Sequence, residues 1–314
     1  MSDLPRLEWA SPAHHGSLLA LFRRAFGAEM PAAEWHWNYP PASGLSLLAR
    51  REGAAVAHYG GQPRRLLAFG RPLTAVQISD IMVDPAERGA LGRGGLFAHI
   101  ATTFTEQVTP PQGPHAFVFG FPSPRATRLG ELLGLYARLD TLQEATWPAR
   151  RGRPAGRALT LHELAARADP LWQRQSEALA ATHLLGVRDR RWVESRYRSH
   201  PSGAYRGWAL FSRFRRRCLA AAVYREHAGA LELIDLLGDP AGYPRLVASL
   251  RCQAARLGKG ELMAWATPAA LASLAPSDRV STLLQVNIAG PDCQAQAKRF
   301  QQRCWMTAGD TDYR

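Results

Sequence analysis

A cluster of glycines and arginines between Arg88 and Gly95 has the composition of an anion-binding loop. Four of its eight positions are glycine and two are arginine. Glycine lets backbone N–H groups turn toward a ligand without a Cβ in the way. From Leu96 onward apolar residues recur at helical spacing, and a helix N-terminus attracts negative charge. The chemistry predicted here is the binding of a diphosphate by backbone amides, with charge-assisted hydrogen bonds from Arg88 and Arg93.

The candidate ligands of this diphosphate are Arg88, Gly89, Gly92, Arg93, Gly94 and Gly95. Two registers fit a glycine-rich loop, one starting at Gly89 and the other at Gly92, and the spacing favours neither. A Rossmann dinucleotide loop or a simple flexible turn is the alternative interpretation. A Rossmann loop is followed about 20 residues later by an acidic residue, whereas residues 108–117 of this chain contain none.

A β-branched run leads into the loop. Val76, Ile78, Ile81 and Val83 favour a strand that ends at Asp84-Pro85. The order of strand, glycine-rich turn and helix in residues 75–108 resembles the cofactor segment of the GNAT (Gcn5-related) acyltransferases. In that family a Q/R-x-x-G-x-G/A turn after the fourth strand holds the pyrophosphate of acetyl-CoA. Here the glycine spacing is kept, but Gly89 stands where Gln or Arg is usual.

The resemblance implies that acetyl-CoA is the acyl donor. It also implies that backbone amides of the strand hold the thioester carbonyl as negative charge develops on it. The strand residues implied in this contact are Ile81, Met82 and Val83.

A second GNAT motif, N-x-x-A-x-x-x-Y-x-x-x-G-F, has a counterpart in residues 123–135. Ser123 takes the place of the asparagine and is therefore a candidate cofactor contact. Gly130 stands where the family has a tyrosine that often protonates the leaving thiolate. Tyr136 follows on the next predicted strand and is a candidate for that acid, with an ordinary strand aromatic as the alternative.

The implied reaction is acyl transfer from a CoA thioester to an amine or hydroxyl. An amine with a pKa near ~10 has to lose a proton before it attacks. Asp80 is the leading candidate for the general base, because it interrupts the apolar strand beside the implied thioester site. A structural carboxylate is the alternative. His58 and Glu87 are the next candidates.

The second half of the chain resembles the first. Residues 80–86 (DIMVDPA) recur as residues 235–241 (DLLGDPA). The other matched segments are 120–122 with 265–268 and Asn38-Tyr39 with Arg196-Tyr197. After the second copy the chain has one glycine and a proline, which removes an N–H donor. A diphosphate loop is therefore not expected in the second half.

A chain of 314 residues exceeds the usual size of one core, so two domains are expected. The predicted fold is α/β, with two tandem GNAT-like domains that each contain a mostly antiparallel twisted sheet flanked by helices. Residues 1–147 are the predicted N-terminal domain with the acyl-CoA site. Residues 148–158, rich in proline, glycine and arginine, are a predicted linker. Residues 159–314 are the predicted degenerate domain.

The net charge of +13 comes almost entirely from arginine, since only Lys259 and Lys298 are lysine. This bias is typical of a GC-rich genome, and no nucleic-acid-binding signature accompanies it, so no nucleic-acid partner is predicted. The four cysteines lack the spacing of a metal site, and neither a metal nor a disulfide is predicted. No stretch has the ~20 apolar residues of a membrane span, and the N-terminus lacks a secretory signal, which predicts a cytoplasmic protein.

The expected function is acetyl transfer to an amine or hydroxyl of a small molecule or sugar. Two alternatives remain open. One is a non-catalytic acyl-CoA-binding or scaffold protein, which the glycine at position 130 favours. The other is a tRNA-dependent aminoacyl transferase of the tandem-GNAT type, with which the arginine content is compatible.

Overall fold

A computed structural model of the chain describes residues 4–40, 44–88, 94–213, 217–290 and 292–311. The chain forms two compact units. The first unit consists of Met1–Arg65, Leu73–Leu139 and Val286–Arg299, and the second of Leu66–Pro72, Asp140–Gln285 and Phe300–Arg314.

The described strands are β1 (Arg6–Trp9), β2 (Leu45–Arg51), β3 (Ala54–Ala68), β4 (Arg71–Val83), β5 (Val118–Gly120), β6 (Tyr136–Pro148), β7 (Arg157–Leu159), β8 (Leu184–Gly186), β9 (Arg206–Phe211), β10 (Cys218–His227), β11 (Ala230–Gly238), β12 (Glu261–Ala266), β13 (Arg279–Ala289) and β14 (Cys304–Trp305). The described α-helices are α1 (His15–Phe26), α2 (Ala32–Asn38), α3 (Leu96–Val108), α4 (Pro124–Leu132), α5 (Leu161–Leu179), α6 (Arg190–Val193), α7 (Tyr243–Arg256), α8 (Pro268–Leu271) and α9 (Cys293–Phe300).

The sheet of the first unit has the strand order β1-β2-β3-β4-β5-β13. Strand β2 is antiparallel to β1 and β3, whereas β4 and β5 are parallel. Because alternate side chains of a strand point to opposite faces, each face has its own core. Helix α3 covers one face through Ile100 and Phe104, and helices α1 and α2 cover the other through Phe22 and Trp35.

The sheet of the second unit has the order β6-β12-β11-β10-β9-β7, and only its pair β11 and β12 is parallel within this order. Helix α5 packs on one face through Leu164 and Leu171, and α7 packs on the other through Leu246 and Leu250. Both units therefore contain a mixed α/β sheet with helices on both faces, as the sequence predicted.

The two units are not successive halves of the chain. The end of β13 belongs to the first unit, where Asn287 pairs with Gly120 on β5. The predicted C-terminal domain, 159–314, included this strand. The difference arises because β13 pairs with a strand far away in the sequence, and a boundary drawn from composition cannot show such a pairing.

Candidate active site

Strand β4 contains a bulge at its centre. Val76 and Ile78 pack against the α3 face, and the next residues on that face are Ile81 and Val83, so one extra residue lies between the two pairs. Asp80, in the interrupted stretch, has a φ of +49°. Aspartate tolerates this left-handed conformation better than most residues, and a bulge of this kind redirects a side chain. The Asp80 carboxylate consequently lies with the side chains of the opposite face.

Hydrogen-bond donors from the end of α2 hold the Asp80 carboxylate. The hydroxyl of Tyr39 donates to Asp80 Oδ2 at 2.9 Å, and Asn38 Nδ2 lies 3.4 Å from the same oxygen. Gln62 on β3 in turn donates to Asn38 Oδ1 at 3.0 Å. Tyr39 and Asn38 are buried, whereas Asp80 is partly exposed. The carboxylate is thus fixed by neutral donors on its inner side.

His58 lies beside Asp80 and is fully buried. Its Nδ1 is 2.7 Å from the main-chain oxygen of Asp80, and its Nε2 is 2.9 Å from Ser46 Oγ. Burial lowers the pKa of the imidazole, and the hydrogen bond to the Asp80 carbonyl opposes that shift only in part. The ring is therefore neutral at physiological pH and has both nitrogens occupied, which is a poor arrangement for a base that has to reach a substrate.

Glu87, the third base candidate, is engaged with Arg51 on β2. Arg51 Nε donates to Glu87 Oε1 at 2.9 Å. The ion pair with Arg51 gives Glu87 a structural role, so Glu87 is a weaker candidate for the base than Asp80.

Beyond the short ladder that joins them, β4 and β5 separate. Their parallel ladder comprises Val76–Val118 and Gln77–Phe119. Strand β5 ends at Gly120, whereas β4 continues to Val83. The predicted thioester contacts Ile81, Met82 and Val83 thus lie on the part of β4 that extends past its neighbour, where an extended ligand can add main-chain hydrogen bonds to the strand.

The N-terminus of α3 follows β4 in the chain. Gly95 is its N-cap residue and has no capping side chain, so the first-turn N–H groups have no partner within the helix. No described atom lies within 4 Å of the position that a Cβ on Gly94 would take. Within the described part of the chain, the space beside Gly94 at this end of the helix is unfilled.

The other predicted diphosphate ligands precede Gly94 in the chain. Gly89, Gly92 and Arg93 lie outside the described residues. Arg88 is exposed, and its guanidinium donates to the main-chain oxygens of Val83 at 3.0 Å and Ala25 at 3.4 Å. In this conformation Arg88 fastens the start of the loop to the sheet.

Ser123 is the N-cap residue of α4. Its hydroxyl accepts a hydrogen bond from the amide of Ala126 at 3.4 Å. Capping of this kind explains the serine without a ligand, and a contact of Ser123 with a cofactor remains a prediction.

The first part of the chain matches a family model. Residues 10–130 match the model described as Acetyltransferase (GNAT) domain. This part of the chain is therefore similar to the acetyltransferase domain of that family. The predicted strand, loop and helix of the cofactor segment all lie within the match. The chain matches no curated protein.

Several solved structures share the fold of this chain. A conserved protein of unknown function from Enterococcus faecalis V583, described as a probable N-acyltransferase, aligns with a TM-score of 0.70 and 13% identity, covering 91% of this chain and 72% of that one. A GCN5-related N-acetyltransferase from Kribbella flavida has a TM-score of 0.67 and 17% identity, with 91% and 70% covered. Saccharomyces cerevisiae N-myristoyltransferase with bound myristoyl-CoA and inhibitors has a TM-score of 0.61 and 11% identity, with 92% and 81% covered. Identities this low establish a common fold and nothing finer.

Three further findings concern the described residues. No group of three or more His, Cys, Asp or Glu side chains among them has the arrangement of a metal site. None of the described helices is long and apolar enough to cross a membrane. The four cysteines are free thiols.

The glycine that replaces the expected helix tyrosine in the GNAT domain makes room for Tyr136. A Cβ on Gly130 would lie only 2.1 Å from Cδ2 of the Tyr136 ring. The tyrosine ring therefore occupies the space into which a side chain at position 130 would extend. Its hydroxyl is 3.2 Å from the hydroxyl of Tyr59, within the core beneath α3.

We expect the Tyr136 phenol to make the stability of the protein sensitive to alkaline pH. Burial raises its pKa to about 12, and a hydrogen bond from Tyr59 opposes this shift. Because the pKa of Tyr136 is higher in the folded than in the unfolded protein, the protonated phenol makes its full contribution to stability below pH 10. That contribution, about 2 to 3 kcal/mol, is lost as the pH rises from 10 to 12.

The free energy of unfolding, measured by chemical denaturation at several pH values, tests this expectation. Below pH 10, the free energy of unfolding of Tyr136→Phe should be lower than that of the wild type. Above pH 10, it should fall less steeply with pH than that of the wild type. Equal alkaline slopes for the variant and the wild type would contradict the assignment.

The second unit repeats the bulge at the matching position. On β11 the residues of the α7 face are Leu231, Leu233 and Leu236, with the same change of spacing as on β4. The ladder with β10 confirms one extra residue between Leu233 and Asp235. The tyrosine contact recurs as well, since the Tyr197 hydroxyl donates to Asp235 Oδ2 at 2.6 Å. These matches support the duplication inferred from the sequence.

The surroundings of Asp235 differ from those of Asp80 in charge and in access. Asp235 is fully buried, and Arg188 Nε donates to its Oδ1 at 2.8 Å. Trp192 Nε1 donates to its Oδ2 at 3.0 Å, and Thr307 Oγ1 donates to its Oδ1 at 2.9 Å. Arg188 also contacts Asp310. A carboxylate with this many partners and no exposed surface cannot meet a substrate.

The chain itself fills the space where β11 and β12 separate. Thr307, which bonds to Asp235 on β11, forms a bridge with Ala266 at the end of β12. The amide of Thr267 also donates to the main-chain oxygen of Met306 at 3.0 Å. The segment around Thr307 thus lies between the ends of β11 and β12.

Proposed function

We propose that the protein transfers an acyl group, most simply acetyl, from CoA to an amine or hydroxyl of a small molecule or sugar. The proposal rests on three features of the first unit, past the last pair of the β4–β5 ladder, Gln77 and Phe119. There the extended part of β4, the uncapped N-terminus of α3 and the carboxylate of Asp80 belong to one compact unit. This combination offers a site for a diphosphate, for a thioester and for a proton.

The donor would bind along β4. Its diphosphate would accept hydrogen bonds from the first amides of α3 and from the loop that ends at Gly94 and Gly95. Its thioester carbonyl would face main-chain N–H groups of Ile81 to Val83, which stabilise the oxyanion because they are already oriented.

The acceptor would lose its proton to Asp80. Tyr39 and Asn38 occupy the inner side of this carboxylate and fix its direction, while its partial exposure leaves a route for the acceptor or for a bridging water. A general base of this kind contributes roughly 10²- to 10⁴-fold to the rate. Tyr136, whose phenol keeps its proton, is the candidate acid for the leaving thiolate, and its hydroxyl lies 3.2 Å from that of the buried Tyr59.

We further propose that the second unit is a degenerate copy without a cofactor site, as the lack of a glycine-rich loop after residues 235–241 predicts. Two observations support this. Helix α7 begins directly after a short turn, Pro240–Gly242, and the buried Tyr243 at its start donates to the main-chain oxygen of Gly238 at 3.0 Å. The space between β11 and β12 is also taken by the segment around Thr307.

Calorimetric titration with acetyl-CoA and a thiol-release assay over a panel of amines and sugars test the proposal together. The expected result is one acetyl-CoA per chain and turnover with at least one acceptor class. Binding without turnover would favour a scaffold protein, and salt-sensitive tRNA binding without CoA binding would favour the aminoacyl-transferase alternative. Absence of acetyl-CoA binding would overturn the proposed function.

Substitution of Gly94 by valine should abolish most of the affinity for acetyl-CoA. The added side chain meets no described atom, so the fold has no reason to change, but it would project into the space before α3. We expect the Kd to rise by about tenfold or more, since a diphosphate cradle depends on close approach of the backbone. Titration of the variant measures the effect.

Gly16→Val is the matched control for this substitution. Gly16 lies on the exposed side of α1, and no described atom lies within 4 Å of the position that its Cβ would take. The control should bind acetyl-CoA like the wild type. An unchanged Kd for Gly94→Val would argue against a diphosphate site at this loop.

A further inference from the structure

The left-handed conformation of Asp80 requires support from its surroundings. A residue other than glycine at positive φ is strained by about 1–3 kcal/mol and persists only where neighbouring groups fix it. The carboxylate end of Asp80 is fixed by Tyr39 at 2.9 Å. Its main-chain end is fixed separately, because the Asp80 carbonyl accepts a hydrogen bond from His58 Nδ1 at 2.7 Å.

The partners of His58 determine its tautomer. A carbonyl oxygen can only accept, so Nδ1 has to carry the proton that is shared with Asp80. The neutral ring then has a lone pair on Nε2, and the hydroxyl of Ser46 has to donate to it across 2.9 Å. The Asp80 carbonyl therefore selects the tautomer, and Ser46 stabilises it by donating to the remaining lone pair.

The space for this arrangement comes from a glycine. Ser46 pairs with Gly60 across β2 and β3. A Cβ on Gly60 would lie 2.7 Å from His58 Cε1 and 2.1 Å from the Tyr39 hydroxyl. The rings of Trp35 and Tyr39 pack around the imidazole with centroids 5.2 Å and 5.4 Å from it.

We propose that Ser46 and His58 are positioning residues of the acyltransferase site, which hold Asp80 in its left-handed conformation and so aim its carboxylate at the acceptor. The inference rests on the proposed function, in which Asp80 is the base. It assigns to His58 a role that involves no proton transfer with the substrate. It also gives Ser46, a buried serine, a specific task.

Two substitutions of His58 distinguish a positioning role from the role of a base or of a core side chain. An asparagine amide reproduces the Nδ1 donor, whereas a glutamine amide reproduces Nε2. His58→Asn should therefore keep kcat within about threefold of wild type. His58→Gln should lower kcat by about 10- to 100-fold, because the carboxylate is misplaced. The KM for acetyl-CoA should change in neither variant.

The other possible roles of His58 predict different patterns. If His58 were the base, both variants would lose kcat alike and by the larger factor. If it only filled the core, kcat would follow the melting temperature of each variant and not the position of the retained donor. Either pattern would overturn the proposal. Ser46→Ala, which removes the donor to Nε2, should lower kcat, and Ser46→Thr should restore it.

The imidazole nitrogens report on the same inference without any turnover. In ¹⁵N spectra of the free protein, the His58 ring should show the Nδ1–H tautomer at neutral pH, because burial lowers the pKa of the imidazole. The groups that contact the ring are Ser46 on β2, Trp35 and Tyr39 at α2, and Asp80 on β4. An Nε2–H tautomer would overturn the inference even in an active enzyme, whereas a protein without turnover that shows Nδ1–H would contradict only the proposed function.

Discussion

Asp80→Asn is expected to lower kcat by roughly 10²- to 10⁴-fold, the usual contribution of a general base. The substitution removes the basic oxygen but keeps an oxygen that can accept from Tyr39. Asparagine also tolerates the left-handed conformation at this position. The fold and the Kd for acetyl-CoA should therefore stay as they are. Steady-state thiol release together with calorimetric titration separates the two quantities.

Asp239→Asn in the second unit is a matched control. Its Oδ1 accepts a hydrogen bond from the amide of Ala241 at 3.0 Å, which an asparagine also accepts. We expect no change in kcat for the control. If Asp80→Asn kept the rate of the wild type, the general base would have to be sought elsewhere, and the support that Tyr39 and His58 give to Asp80 would be structural.

The sequence predicted the elements of the first site better than their conformation. The strand that ends at Val83 and the helix that begins at Leu96 are both present where the apolar spacing placed them. The bulge was missed, although the spacing of Val76, Ile78, Ile81 and Val83 contains it. Two steps of two residues are separated there by one step of three, and a regular strand has only steps of two.

Other features of the site depend on contacts that no local pattern shows. The bond from Tyr39 to Asp80 joins residues 41 positions apart in the chain. It also depends on the missing side chain of Gly60, on a third strand. The replacement of a side chain at Gly130 by the ring of Tyr136 is another steric exchange between positions that a motif treats separately. Because packing decides which side chain fills such a space, a motif search shows only that position 130 lacks the tyrosine and not that the ring of Tyr136 takes its place.

The two units use matching aspartates in opposite ways. Asp80 is partly exposed and has neutral partners from α2, whereas Asp235 is buried and shares Arg188 with Asp310. A carboxylate that has to meet a substrate needs an exposed surface. A site that holds a fold together gains from burial and from complete hydrogen bonding. The duplication therefore supplies an internal comparison, in which one substitution can be made at two equivalent positions.

Asp235→Asn is accordingly expected to affect stability and not chemistry. The change leaves the buried guanidinium of Arg188 with one carboxylate instead of two, and breaking a buried ion pair costs about 3–5 kcal/mol. Unfolding by urea, followed by circular dichroism, measures the loss. Enzyme that remains folded should keep the Kd for acetyl-CoA, because the substitution lies outside the unit that contains the proposed site.

The acid dependence of unfolding tests the physical cause. Burial alone would raise the pKa of Asp235, but the Arg188 guanidinium and the donors around the carboxylate lower it overall. A lowered pKa means that the ionised carboxylate stabilises the fold above its ordinary value of 3.8, and that this contribution is lost as the pH falls through the lower value of the folded state. Asp235→Asn should remove that part of the acid dependence, whereas Asp80→Asn should leave it in place. A variant at Asp235 as stable as wild type would show that Asp310 alone compensates Arg188.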